Sequence, residues 1–508
     1  MQQTQYDLAI VGAGFSGPIL AAKIAEKGVH PQSGERLKIA LIDAGPYFKG
    51  AGRPGYGVPL RRQMFTNLED NYQGNYLWNN DRSLAKIVGG SSLHWNAQVL
   101  VPFPVDYLHW QNETGVDWTE ENFREAVAEI RREFNIHPYP DEIDTWGNKL
   151  FSDVAKRMGY EPKRQQGARR NCIYCGFCNS PMMCKYDSRA STLTTYIPVA
   201  EEHGVDIIPD TYVEKVLIDT QGGRGTAYGL LCKAKDSTYE IQADKIIVSG
   251  GYKNTPLLLM RSGYGPREWK GNPIIVENPN IGKNIDGHPF IPRAYGLFDE
   301  PLGDGEVGSI GGYYMIQDDR PDAEGRLIFR ARFGTGPLDR ALPSQIAQHP
   351  FAPPFGREHK KFMREKGFLR TGSLAPGVAK PSGRWYIDPN GTLIYGGDHS
   401  LTIRRAKEGL QIARSILEEM GAREITPTDI PVNLTPQSGG AHKVGSCRAG
   451  VDPKTSVVNP YFESHDVDNL FVCDGSVIPR APTGASGAPQ ACMSVFAANR
   501  IIERHFKS

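Results

Sequence analysis

No stretch of this chain reaches the ~18 consecutive apolar residues that a membrane-spanning helix needs, so nothing in its hydropathy places it across a bilayer. Net charge is almost absent: 58 basic against 57 acidic side chains leave +1. Without a positive field there is nothing to hold a nucleic-acid backbone. Cysteine is scarce, eight in 508 residues, which excludes a disulfide-built scaffold. The first residues, Met1 to Tyr6, hold no basic stretch, no arginine pair and no long apolar run. The chain is therefore expected to carry no export signal of its own and to be cytoplasmic, unless a signal-bearing partner exports it. Internal repeats and low-complexity tracts are missing as well, which excludes a repeat array. Glycine and proline, by contrast, are plentiful at 56 and 37 residues, above the usual ~7% and ~5% and without a Gly-X-Y period. They announce turns and close backbone approaches. Apolar content of 39% with 23% charged residues fits a folded globular protein of two to four domains at ~100–200 residues each.

The chain begins with the pattern strand, glycine turn, helix, strand. Tyr6 to Val11 is short and apolar, Gly12 to Gly17 breaks it, Pro18 to Lys27 suits a helix, and Leu37 to Ile42 is apolar again. A polar insertion, Val29 to Arg36, separates helix from second strand, and 46–83 read as extended loop. An amphipathic helix is expected from Asp117 to Phe134, with Phe123, Val127, Ile130 and Phe134 on one face. Three short strands follow between Tyr212 and Gly251, and a helix from Leu401 to Met420 is closed by Gly421. A strand at Asn469 to Cys473 and a final helix from about Ala491 to Arg504 complete the pattern.

Gly12-Ala13-Gly14-Phe15-Ser16-Gly17 is G-x-G-x-x-G between a strand and a helix. Gly12 permits the tight turn, Gly14 lets backbone approach a pyrophosphate, and Gly17 lets helix and strand pack closely. The helix N-terminus then offers free N–H groups to that phosphate. Asp43 ends the second strand, where an acid takes ribose hydroxyls; the polar insertion accounts for its longer distance from the glycines. The hexapeptide leaves NAD and FAD equally open.

Later segments separate them. They are Val88-Gly89-Gly90-Ser91-Ser92-Leu93-His94-Trp95-Asn96, Thr255-Pro256-Leu257-Leu258-Leu259-Met260-Arg261-Ser262-Gly263, Asn280 to Pro289, His442-Lys443-Val444-Gly445-Ser446-Cys447-Arg448, and Asn469 to Ser476. In order and spacing they resemble the glucose–methanol–choline (GMC) oxidoreductase family over nearly the whole chain. Thr255 to Gly263 matches the family's T-P-x-L-L-x-x-S-G, while Tyr252 departs from its usual small residue. The resemblance implies an α/β (α+β overall) protein: a Rossmann-like FAD-binding domain from 1–105, 185–290 and 435–508, and a substrate-binding domain on a large antiparallel sheet from 106–184 and 291–434. It also implies that Gly89, Gly90, Ser91, His94, Asn96 and Ala491 adjoin the flavin, Asp474 and Gly475 the pyrophosphate or ribityl chain, and Val213 the adenine. Within the family, Gly89 to Trp95 resembles the pyranose 2-oxidase and gluconate or fructose dehydrogenase branch, whose histidine is flavin-linked. That likeness implies FAD bonded covalently to His94 and a sugar or glycoside substrate oxidised at a secondary alcohol. Simple packing of His94 against the isoalloxazine is the other reading of the same residues.

Oxidising an alcohol removes a hydride from carbon while a base takes the hydroxyl proton, and FAD would carry the redox step. His442 matches the family's base, and an imidazole can accept and return a proton near neutrality. The family sets a second His or Asn opposite that base. Counting back from Val495, Gln490 takes that place, and a one-residue shift puts Ala491 there. Cys172, Cys175, Cys178 and Cys184 form C-x2-C-x2-C-x5-C, the Cys-rich loop 172–184. Iron–sulfur ligation, inert thiols or one local disulfide, and zinc all remain open for it. An iron–sulfur cluster would add an electron-accepting partner, such as a small companion subunit; oxygen is the acceptor otherwise. A flavin-bearing lyase of hydroxynitrile-lyase type and a catalytically silent flavoprotein are the competing functions.

Overall fold

The computed structural model describes residues 4–47, 85–93, 95, 97–174, 188–235, 237–289, 293–303, 312–317, 325–333, 351, 353, 355–365, 367–379, 382–427 and 441–507. Its larger sheet is built where the apolar runs predict. Thr4–Val11 lies between Ile39–Ile42 and Ser237–Val248, all parallel, with Asp206–Ile208 and Leu470–Val472 extending the parallel set at either side. Leu8, Ala9, Ile10, Ala40 and Leu41 are wholly buried, as central parallel strands covered on both faces require. The first half of Ser237–Val248 also pairs antiparallel with Gly225–Ala234, which pairs with Tyr212–Asp219. The three strands expected between Tyr212 and Gly251 are this meander.

Helix Gly17–Lys27 follows the glycine turn and is buried along most of its length, because its side chains are Ile, Leu and Ala. Its one buried cation, Lys23, meets Glu129 at 2.6 Å. Glu129 belongs to helix Glu120–Glu133, whose cap is Thr119, accepting a hydrogen bond from the Asn122 N–H. Phe123, Ala126 and Ile130 of that helix are buried against the closing helix Gly487–His505, with Phe123 and Phe496 stacked at 4.1 Å between centroids. Helix Pro104–Thr114 joins the same core through Tyr107 and Trp110. These two helices, grouped on sequence with the substrate-binding domain, thus pack into the nucleotide-domain core. The apolar stripe that predicts a helix from Asp117 to Phe134 has the closing helix as its partner, while Pro104–Thr114 is a helix the sequence reading did not foresee.

The second sheet has six antiparallel strands in the order Glu424–Thr426, Ala294–Leu297, Thr371–Ala379, Arg326–Phe333, Tyr313–Gln317, Lys163–Arg164. Helix Ser400–Glu419 covers one face, burying Leu410, Ile416 and Leu417 against Leu327, Phe329, Ala331 and Phe333. Because strand side chains alternate, Arg326, Ile328, Arg330 and Arg332 stand on the opposite face. Ile328 there meets Leu100, from the segment that follows the GGSSLHW loop. A compact charge cluster sits nearby: buried Asp286 is ion-paired with Arg384 at 2.8 Å and Arg480 at 3.2 Å, and Glu113 accepts from Arg384 at 3.0 Å and Arg448 at 3.1 Å. It fixes the short strand Asp286–His288 in place.

Candidate active site

Three glycine loops converge at the upper edge of the parallel sheet. Gly12 has φ +103°, and a Cβ there would lie 2.5 Å from the Ser249 carbonyl oxygen. A Cβ on Gly17 would fall inside the Gly12 carbonyl, so this glycine is what lets helix and turn touch. A Cβ on Gly90 would lie 2.6 Å from the Gly14 Cα, while the Gly89 N–H donates to the Ala13 carbonyl at 2.7 Å. The GGSSLHW loop is therefore pressed onto the dinucleotide turn. A Cβ on Gly14 itself would meet nothing within 4 Å, because it points into open space.

That space is a cavity of about 770 Å³. One end is lined by Asp43, Thr211 and Val213, the middle by Gly12, Gly14, Gly250 and Gly251, and the other end by Gly90, Ser91, Trp95, Gln98, Arg330, His442, Lys443, Gly475 and Gln490. Asp43 accepts from the Ala13 and Gly45 N–H groups, each at 2.8 Å. Burial pushes its carboxyl up and the two amides pull it back, and each oxygen keeps a lone pair for a ribose hydroxyl. The helix Gly17–Lys27 has no side-chain cap and no acid in its first turn. Its orphan N–H groups and positive dipole end await an anion. An elongated dinucleotide such as FAD fits these features: an acid at the ribose end, uncapped amides at the middle, and wide polar space beyond.

The remaining site residues fall as follows. Asp474 is buried behind the cavity wall, accepting from the Gly251 N–H at 2.7 Å, Thr255 Oγ1 at 2.5 Å and the Ser476 N–H at 2.6 Å. It holds the second glycine turn, and Gly475 is the residue that faces the cavity. Ala491 is fully buried. Gln490 lines the cavity, but its Nε2 is directed to Ser16 Oγ at 3.4 Å and its amide lies against Gly475. Tyr252 lines the wall with Lys443 Nζ 5.5 Å from its ring centroid. His94 and Asn96 lie outside the described residues, as do Cys175, Cys178 and Cys184 and most of the loop expected at 46–83. Cys172 is described and half-buried, its Sγ accepting from the Tyr174 N–H at 3.4 Å. Cys232, Cys473 and Cys492 are buried, as their apolar surroundings predict.

His442 is bonded to His288. Asp286–His288 pairs antiparallel with Ala441–Val444, which brings the two imidazoles edge to face with Nδ1 to Nδ1 at 2.9 Å. His288 Nε2 lies 2.9 Å from the Pro482 carbonyl oxygen. A carbonyl only accepts, so the proton of a neutral His288 is on Nε2 and its Nδ1 must accept. The proton of His442 is then on Nδ1, which leaves its Nε2 lone pair free, on the half-buried imidazole that lines the cavity. Burial and Arg330 hold His288 down to about 4. His442 is held well below 6.5 by burial, then by His288, Arg330 and Lys443. Both rings are thus neutral around pH 7. His442 adopts φ +60°, a left-handed backbone that a non-glycine residue takes at some cost and that is concentrated at functional sites. His442, singled out from the sequence, lines the cavity; its bond to His288 was not foreseen, the signal being a second histidine in a polar loop 154 residues away.

Comparison with known proteins agrees with this geometry. Family models described as GMC oxidoreductase match residues 24–290 and 377–497. The long-chain-alcohol oxidase FAO4A of Arabidopsis thaliana is 25% identical, with 95% of this chain matched to 66% of that enzyme, so the chain spans about two thirds of its length. The alcohol dehydrogenase [acceptor] of Pseudomonas putida is 25% identical over 98% of this chain and 96% of its own. Among solved structures, formate oxidase superposes with a TM-score of 0.72 at 16% identity, covering 99% of each chain. Pyridoxine 4-oxidase from Mesorbium loti gives 0.69 at 18% identity, covering 98% of this chain and 99% of its own. With more than half of its residues matched by the family's models, and with the Rossmann-like fold of those structures, the chain belongs to the GMC oxidoreductase family.

Proposed function

We propose that the chain oxidises an alcohol with His442 as the base, and that the alcohol is a secondary hydroxyl of a sugar or related polyhydroxylated molecule. The observation that carries this is the His442–His288 bond, which leaves an unprotonated Nε2 at the cavity. FAD, when bound, supplies the hydride acceptor. The protein's own part is to hold the hydroxyl where its proton passes to His442 Nε2 as the carbinol carbon becomes a carbonyl. Neutrality of both rings is what makes that transfer available, and a positioned base contributes ~10²–10⁴-fold to such a step. Asp43, the Gly12–Gly17 turn with its helix, Gly90 and Gly475 would hold the cofactor.

A sugar is favoured over a long alkyl chain by the polarity of the reaction end. Among the described residues it presents Gln98, Arg330, His442, Lys443, Ser486 and Gln490. An alkyl chain would strip water from these groups without replacing its hydrogen bonds, whereas hydroxyls satisfy them. The resemblance of Gly89 to Trp95 to sugar-oxidising relatives points the same way. The test is anaerobic mixing of FAD-loaded protein with glucosides, sugar acids, choline-type and long-chain alcohols. Bleaching of the oxidised flavin by a polyol and not by dodecanol supports the proposal. An unchanged spectrum with every alcohol removes it and leaves the lyase or the silent flavoprotein. In air, hydrogen peroxide marks oxygen as acceptor; iron and acid-labile sulfide, with dye reduction, mark an electron exit through Cys172, Cys175, Cys178 and Cys184.

A further inference from the structure

Arg330 projects from the site face of the second sheet, on the strand whose other face is sealed under helix Ser400–Glu419. It lines the cavity beside His442 and Lys443. Among the described residues its guanidinium makes no hydrogen bond and no ion pair. The charged groups that act on it or feel it are cations or imidazoles: Arg293, His288 and His442. Its neighbour two residues on, Arg332, is by contrast engaged, donating to Gln98 at 2.9 Å. The only carboxylate lining the cavity among the described residues is Asp43, at the far end and already holding two backbone amides.

An arginine does not lose its proton in a protein, so this end carries a permanent positive charge with no counterion among the described residues. A partly desolvated, unpaired cation is costly, and an incoming anion relieves that cost. The cofactor's pyrophosphate does not serve, since the uncapped helix and glycine turns that suit it form the middle of the cavity. A guanidinium offers two parallel N–H donors matched to the two oxygens of a carboxylate.

We infer that Arg330 recognises a carboxylate on the alcohol substrate, so that the molecule oxidised beside His442 is a hydroxy acid. This deepens the proposed function and rests on His442 marking where the alcohol sits; in sugar terms it selects an aldonic or uronic acid over a neutral glycoside.

The test separates binding from turnover. FAD-loaded protein is titrated with acetate and, separately, with acetamide, following the flavin absorption spectrum; flavin reduction by glucuronate and by glucose is then compared. Acetate is expected to perturb the spectrum and acetamide not. Arg330→Met should weaken acetate at least tenfold and lower kcat/KM for glucuronate at least tenfold more than that for glucose, with both substrates compared in the one variant so that any change in His442 itself cancels. Arg330→Lys should fall between. If acetate and acetamide act alike on the wild-type protein, the inference is overturned without any variant. It is overturned too if Arg330→Met binds acetate as tightly as wild type, including the case where only the flavin's reduction potential moves, which would assign Arg330 to the cofactor. Arg330-dependent acetate binding in a protein that no alcohol reduces supports the carboxylate site and removes His442 as the base instead.

Discussion

Replacing His288 with leucine asks whether the histidine pair sets the base. In the structure His288 accepts from His442 Nδ1 at 2.9 Å and donates to the Pro482 carbonyl at 2.9 Å. In His288→Leu the acceptor is gone and the His442 Nδ1–H is stranded. A neutral hydrogen bond is worth about 0.5–1.5 kcal/mol net, and a buried donor without a partner costs about 1–3 kcal/mol. The imidazole escapes that cost by turning, or by carrying its proton on Nε2, and either move removes the lone pair from the substrate. At a factor of ten per ~1.4 kcal/mol, flavin reduction should fall about 10- to 100-fold. His442→Ala should do worse, by up to ~10⁴-fold, because the base itself is lost. The pH profile gives a second readout. His288 is among the groups that hold His442 below 6.5, so its removal lets that pKa rise. Since only neutral His442 accepts a proton, the acid limb of the rate must then move to higher pH. His288→Gln, whose amide can both accept from His442 and donate to Pro482, should restore most of the rate and return the limb. Stopped-flow bleaching of flavin under anaerobic conditions measures both. A fully FAD-loaded His288→Leu with the wild-type rate and an unmoved acid limb would refute the relay.

Two glycines give opposite outcomes in apoprotein and holoprotein. Gly14→Ala places a Cβ in open cavity, so the apoprotein should melt as wild type while FAD is lost on gel filtration. Gly90→Ala, at φ +49° and 2.6 Å from Gly14 Cα, should destabilise even the apoprotein by about 1–3 kcal/mol. Asp286→Asn removes the fully buried charge between Arg384 and Arg480 and should cost about 3–5 kcal/mol in urea unfolding, slowing flavin reduction because His288 is two residues away. Stability should also fall in acid. An unfolded chain protonates His288 near 6.5 while the folded one resists to about 4, so this residue's share drops by about 1.4 kcal/mol per unit below 6.5. Chemical denaturation in a pH series should lose that portion of its slope in His288→Leu.

What could be read from the sequence was what short-range chemistry dictates. The turn at Gly12, Gly14 and Gly17 needs only local sterics and stands where expected, as do the meander from Tyr212 to Val248 and the helix Ser400–Glu419 with Gly421 beyond it. His442 was legible from the spacing around it. His288 was not, because the pairing that delivers it is made by strands of three and four residues, too short to carry a period. Gln490 shows the effect of helical phase. The closing helix begins at Gly487, earlier than the expected start near Ala491, and that extra turn directs Gln490 toward Ser16. Arg330 was hidden for a different reason: Arg326–Phe333 reads as an ordinary alternating strand, and only the packing of its odd-numbered residues under a helix reveals which way the arginine faces.

The weave of the larger sheet has a temporal consequence. Thr4–Val11 finds its neighbour Ser237–Val248 only after more than two hundred further residues, and that strand in turn waits for Leu470–Val472. The Val29 N–H donates to the Phe506 carbonyl at 2.9 Å, so the end of the first helix is latched by a residue made more than four hundred positions later. At about 5–20 residues per second on the ribosome, that interval runs to roughly half a minute or longer. Until Ser237–Val248 is made, Thr4–Val11 has only Ile39–Ile42 beside it, and until Leu470–Val472 is made, Ser237–Val248 lacks its parallel neighbour. The cavity is completed by the same late residues, since Gly475 and Gln490 are part of its lining, so the full set of groups that would hold the cofactor exists only after both ends of the weave are in place.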